Sequence, residues 1–153
     1  MSALAARLAD LVWLVPALPL AAAVLTGARV LLGRARGDAA EPLTARLGEL
    51  GALGGLLLLL ALDALALAGG APGHRVLAVW LAAGEWEGTL SFMPDGPGLA
   101  AATMAALVGW LAMRFSAAYL HREPGFHRFF IVLGVFLAGI QLVFLSGNGL
   151  LAF

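Results

Sequence analysis

An eight-residue polar hinge, His121-Arg122-Glu123-Pro124-Gly125-Phe126-His127-Arg128, separates two apolar stretches that are each long enough to cross a bilayer. Lipid offers no hydrogen bonds, so an apolar stretch of that length must satisfy its own backbone, and a helix does so within one segment. The hinge concentrates positive charge, which places it on the cytoplasmic face. Composition points the same way: 62% of residues are hydrophobic and 12% charged, against roughly half and a quarter in soluble domains. The chain is read as an all-α membrane protein, with room in its 153 residues for roughly three to five spanning helices.

The first span is predicted over residues 11–32. Its start carries one arginine, Arg7, and no small-residue cleavage site before polar sequence, so it reads as a retained helix and not as a signal peptide. Pro16 and Pro19 lie in its first half and free backbone carbonyls there, which predicts a kink packed against neighbouring helices. Residues 33–46, with Arg34, Arg36, Arg46, Asp38, Glu41 and Pro42, read as a short connecting loop in which the proline stops regular structure. The second span is predicted over 47–68. Gly48, Gly51 and Gly55 fall on one helical face, where a neighbouring backbone can approach closely. A third span is expected over 98–120 and a fourth over 129–148, with residues 149–153 opening a fifth helix.

Between the second and third spans, residues 69–98 read as a short external β-hairpin. Its strands are predicted at 76–81 and 89–93 around a turn at 82–88, the second with alternating polarity. Trp80 and Trp86 suit an interfacial aromatic belt, and Glu85, Glu87 and Asp95 make this side acidic. The paired glutamates lack a third polar group and read as a solvated turn, not as acid-base machinery.

Three titratable residues are candidates for a proton path: Asp63, His121 and His127. Asp63 lies inside an apolar span, where a carboxylate is costly and marks function by default. Its nearness to Gly69-Gly70 supports the competing reading of a group that reaches the interface or makes a structural hydrogen bond. Histidine is the side-chain type whose ordinary titration lies nearest neutrality, which makes His121 and His127 candidates, yet beside Arg122 and Arg128 they also read as interfacial anchors, and the hinge supplies no further ligands for a metal. No catalytic, cofactor or metal site is expected. Cysteine and lysine are both absent from these residues. Disulfides, thiolate chemistry, Schiff bases and a P-loop lysine are thereby excluded within them. Zero net charge gives no support for a nucleic-acid partner.

Arginines decide orientation. Arg29, Arg34, Arg36, Arg46, Arg114, Arg122 and Arg128 cluster at the first and third connections, whereas Arg7 and Arg75 fall on the other side. The expected layout is a multi-pass protein of a bacterial inner membrane with the N-terminus and hairpin outside and both hinges inside.

The landmarks then resemble a known family. Ser91-Phe92-Met93-Pro94-Asp95-Gly96, the trio Phe115, Ser116 and Tyr119, then Arg128-Phe129-Phe130, and later Asn148 stand in the order of the N-terminal region of the large antiporter-like subunit of respiratory complex I, its chain 5 or L-type subunit. Relatives include multisubunit cation/proton antiporters, membrane hydrogenases and inorganic-carbon uptake complexes. The resemblance covers roughly residues 80–153. It departs from the family at Asp95-Gly96-Pro97-Gly98, where Asp-Gly-Leu-Ser is usual, and at Met113, where histidine is frequent. The family's Trp-Glu on its fifth helix would fall just beyond Phe153, so no proton-translocating residue carries over.

The resemblance implies the N-terminal portion of a proton-translocating subunit of an NADH:quinone oxidoreductase-type complex. Such a portion is not catalytic by itself and partners the lipid bilayer, other membrane subunits and the helices expected to follow it. Quinone and nicotinamide sites are expected in other subunits. The alternative is a small stand-alone membrane scaffold or assembly protein without transport. An intramembrane enzyme is disfavoured, since Asp63 and Arg114, the buried ionisable candidates, sit on separate helices without a partner motif.

Overall fold

Glycines on one face of the second span let the backbone of the first lie against it, and the bundle is built on that contact. The computed structural model describes residues 7, 8, 10–69, 73–83 and 86–148, without the side chains of residues 80, 81, 83, 86 and 87. Among these residues the order is α1 (Leu14–Leu31), a single 3-10 turn (Asp38–Ala40), α2 (Glu41–Leu67), β1 (Arg75–Ala83), β2 (Trp86–Phe92), α3 (Gly96–Tyr119) and α4 (Phe126–Leu145). All four helices are long and apolar enough to cross a membrane. α1 packs on α2 and α4, and α3 closes the bundle between those two.

Three helix boundaries differ from the sequence reading for identifiable reasons. α2 begins at Glu41, six residues before the expected 47, because Pro42 opens the helix instead of stopping it. A proline in the first turn has no N–H that the helix needs. α4 begins at Phe126, so His127 and Arg128 are helical and the connection shrinks to 120–125. α4 also stops at Leu145, short of the expected 148. Ser146 turns extended and bridges Phe92, and the Gly147 N–H donates to the Ser91 carbonyl at 2.7 Å. α1 and α3 run 14–31 and 96–119 against the expected 11–32 and 98–120. The fifth helix expected from 149 lies outside the described residues.

The hairpin is present but longer than expected. Antiparallel pairs run from Arg75↔Phe92 to Ala83↔Trp86, with irregularities between Val76 and Ala78 and between Val79 and Leu81. Residues 82, 83 and 86–88, expected in the turn, are therefore paired; backbone ladders do not require alternating side chains. The side chains of Trp80 and Trp86, expected in an interfacial belt, and of Glu85 and Glu87, expected in a solvated turn, lie outside the described residues.

Two apolar cores occupy the two ends of the bundle. Val12, Val15, Leu56, Leu59, Leu62, Phe92, Leu99 and Leu145 fill the hairpin end. Met113, Phe126, Phe130 and Leu137 fill the hinge end with Ala45 and Ala52. The outer surface is apolar as well: Val24, Leu25, Leu50, Leu57, Val108 and Phe136 are all more than half exposed. An apolar surface on this scale belongs in lipid.

Two of the three glycines on that face, Gly51 and Gly55, meet the backbone of α1, whereas Gly48 makes room for the Phe130 and Met113 side chains. A Cβ on Gly51 would lie 2.8 Å from Ala22 Cβ and 3.0 Å from the Leu18 carbonyl, and one on Gly55 would lie 3.2 Å from the Val15 carbonyl. Gly134 of α4 does the same from the other side, against Ala23 Cβ and the Pro19 carbonyl at 3.0 and 3.1 Å. Helix α1 is thus gripped around Pro19 by glycines of two neighbours. Gly139, on the same helix as Gly134, has nothing within 4 Å of its Cβ position. Gly51→Val is expected to destabilise the protein by about 1–3 kcal/mol through overpacking. Gly139→Ala should leave stability unchanged or raise it by up to about 1 kcal/mol. Thermal unfolding of the two variants in one detergent checks the contrast.

Candidate functional site

The polar residues of the hinge end converge on the start of α2. Gly37, at φ 68°, turns the chain into the 3-10 turn, and Glu41 follows as the first residue of α2. Its position suits a carboxylate, since the free N–H groups of a helix start favour negative charge. Although charged, Glu41 is only 5% exposed. Its carboxylate accepts a hydrogen bond from His121 Nδ1 at 2.7 Å and from the Arg122 backbone N–H at 3.1 and 3.3 Å. A carboxylate only accepts, so this contact puts the proton on His121 Nδ1. Arg122 holds φ 68°, the one left-handed non-glycine among the described residues, and its Nε reaches Asp38 at 3.2 Å. The left-handed backbone costs about 1–2 kcal/mol, and the grip of Glu41 on its N–H holds it in place.

One turn further along α2, Thr44 is fully buried. Its hydroxyl accepts from Arg29 Nη1 at 3.3 Å and lies 2.9 Å from His127 Nδ1. Arginine only donates, which leaves the hydroxyl proton of Thr44 available for His127 Nδ1. Glu41 and Thr44 thereby tie α2 to the α3–α4 connection, to α4 and to α1. The two candidate histidines do not meet each other; each is held by a different α2 residue.

Asp63 lies elsewhere. Half-buried near the opposite end of α2, it accepts from Thr103 Oγ1 of α3 at 2.7 Å. It stands about 33 Å along the helix from Glu41. The structure therefore brings His121 and His127 to one cluster and leaves Asp63 outside it. Arg114, expected to be buried without a partner, has a side chain 66% exposed and pairs with Glu49 of α2 at 3.4 Å. Five residues before the end of α3, its long side chain reaches the bundle surface.

The hairpin end has its own closure. Asn148 Nδ2 donates to the Thr89 carbonyl and stands 3.1 Å from Thr89 Oγ1 and 3.3 Å from Ser91 Oγ. The Met93 N–H donates to the Leu145 carbonyl at 3.0 Å, and Arg75 pairs with Asp10 at 3.5 Å. Asp95 caps α3 by accepting from the Gly98 N–H at 2.8 Å. Gly98 has the Phe144 carbonyl 2.6 Å from its Cβ position, so the glycine lets the end of α4 lie close against the start of α3. Phe130 and Met113 are buried together beside Gly48, whereas Phe115 and Tyr119 stack at 5.6 Å on the exposed face.

Three polar residues escaped the sequence reading: Glu41, Thr44 and the fully buried Gln141. Glu41-Pro42 carries a helix-start signature, an acidic residue followed by proline, that outweighs the proline's usual role as a breaker. Gln141 is the one polar side chain within the apolar run 129–145. Thr44 carried no signal, because its burial depends on where α1 and α4 pack.

These features define a class: a multi-pass helical membrane domain whose up-and-down bundle is fastened by polar contacts at both ends. Residues 80–130 match the family described as NADH-Ubiquinone oxidoreductase (complex I), chain 5 N-terminus. Over 147 residues, 93% of the chain, the sequence is 30% identical to NAD(P)H-quinone oxidoreductase subunit 5, organellar chromatophore 1, of Paulinella chromatophora. The chain spans 21% of the length of that relative. Over residues 80–130 the chain is thus similar to the N-terminal region of the complex I chain 5 family.

The hinge contacts differ in weight. Glu41→Ala leaves the Arg122 N–H and His121 without their buried acceptor and is expected to cost about 1–3 kcal/mol. Asp38→Ala removes an ion pair whose side chains are 58% and 73% exposed, and should cost no more than about 1 kcal/mol. Thermal unfolding followed by tryptophan fluorescence ranks the two.

Proposed function

We propose that this domain is a packing and assembly portion of a proton-translocating subunit within a multisubunit membrane complex of the quinone oxidoreductase type. The 30% identity over 93% of the chain carries this reading. The distribution of ionisable groups supports it: Asp63 is engaged by Thr103, and His121 and His127 are engaged at the far end of the bundle. In this reading the three act as structural fasteners, while proton transfer and redox chemistry belong to other helices and subunits. The domain sits in a bacterial inner membrane with its N-terminus and hairpin outside, because seven of the nine arginines gather at the hinge end.

Two measurements test the reading. Affinity-tagged chain, solubilised mildly from its native membrane, is expected to migrate on a native gel with other membrane subunits. Migration as a folded monomer would overturn the assembly role in favour of a stand-alone scaffold. Asp63→Asn in the assembled complex should leave proton pumping within about twofold of wild type, a barrier change of about 0.4 kcal/mol or less. Loss of pumping with assembly intact would assign Asp63 to a proton path.

A further inference from the structure

Gln141 occupies the interior of α4, fully buried, and neither its Oε1 nor its Nε2 has a hydrogen-bond partner among the described residues. An amide buried without partners costs several kcal/mol in an apolar medium, and a bilayer supplies no bulk water to relieve it. A second polar group faces the same place from α1. Pro19 has no N–H, so it cannot close the helical hydrogen bond to the carbonyl four residues earlier, that of Val15. The missing side chain of Gly55 on α2 joins the two. From its Cβ position the Val15 carbonyl is 3.2 Å away and Gln141 Nε2 is 3.6 Å away, so both polar atoms border one notch.

We propose that this notch is an internal hydration site, in which a water molecule bridges the Gln141 amide and the Val15 carbonyl between α1, α2 and α4. A buried water needs two to four polar partners. The amide offers a donor and an acceptor, and the carbonyl a further acceptor. Proline on α1, glycine on α2 and glutamine on α4 each supply one part: a freed acceptor, space and an amide.

Gln141 is the single glutamine and Asn148 the single asparagine of these 153 residues, so a chain of this sequence carries two side-chain amides. Solid-state NMR of the chain in lipid bilayers, with 15N in both amides, can follow magnetisation passing from water to each. Transfer to the Gln141 amide at a rate within about threefold of that to Asn148 is the expected result. No transfer to Gln141 on the timescale that fully labels Asn148 would overturn the proposal, leaving a dry amide or a direct bond to Val15. Gly55→Ala places a methyl group in the notch and is expected to remove the Gln141 signal while that of Asn148 persists. A Gln141 signal unchanged in a folded Gly55→Ala protein would also overturn it, by placing the water elsewhere. Should that variant fail to fold, the wild-type comparison of the two amides decides alone.

Discussion

Direct contact between helix backbones holds this domain together. In lipid, burying one apolar side chain against another gains little, because the surrounding tails are as apolar as leucine. What remains is close packing, and close packing needs small residues where helices cross. Gly51 and Gly55 of α2 and Gly134 of α4 provide it around the Pro19 region of α1. The first helix, with polar sequence on one flank and two prolines inside, is the element most in need of such a grip. Phe130, Met113 and Leu137 then fill the space that the glycines do not.

Polar contacts take over where the helices end. At the hinge side one buried carboxylate receives an imidazole and a backbone N–H, and a neighbouring hydroxyl links two more helices. At the opposite side an asparagine and two backbone hydrogen bonds fasten the end of α4 to the hairpin. Residues singled out in the sequence thus acquire physical roles. Asp95 starts α3, Phe130 fills the core, and Asn148 anchors the sheet. Each of these roles is structural: a helix cap, a core side chain and an anchor for the sheet.

Helix number and the position of the hairpin were legible because they rest on runs of apolar residues, and such runs need no tertiary information. The glycine face was legible in part: the spacing of 48, 51 and 55 puts them on one side of the helix, but that Gly48 faces the Phe130 ring while Gly51 and Gly55 face a backbone depends on the packing. Pro42 was not, because the same residue stops a helix from inside and starts one from its first turn; only the chain's path tells these apart. The partners of Asp63, His121 and His127 lie 40 to 83 positions away in sequence, and no local pattern announces them. Gln141 was hidden by the opposite problem, one amide among apolar neighbours whose surroundings come from three helices.

Strand β2 takes its last bridge from Ser146, a residue that follows the fourth helix. A hairpin placed midway along the chain therefore cannot finish its own pairing when it is made. It must wait until α3 and α4 have both threaded the bilayer and delivered Ser146 and Asn148 back to the side it started from. The finished sheet is thus a receipt for correct topology: a chain whose fourth helix inverted or failed to insert would leave the Ser91 carbonyl and the Met93 N–H unclaimed, an exposed edge for a membrane quality-control protease to find.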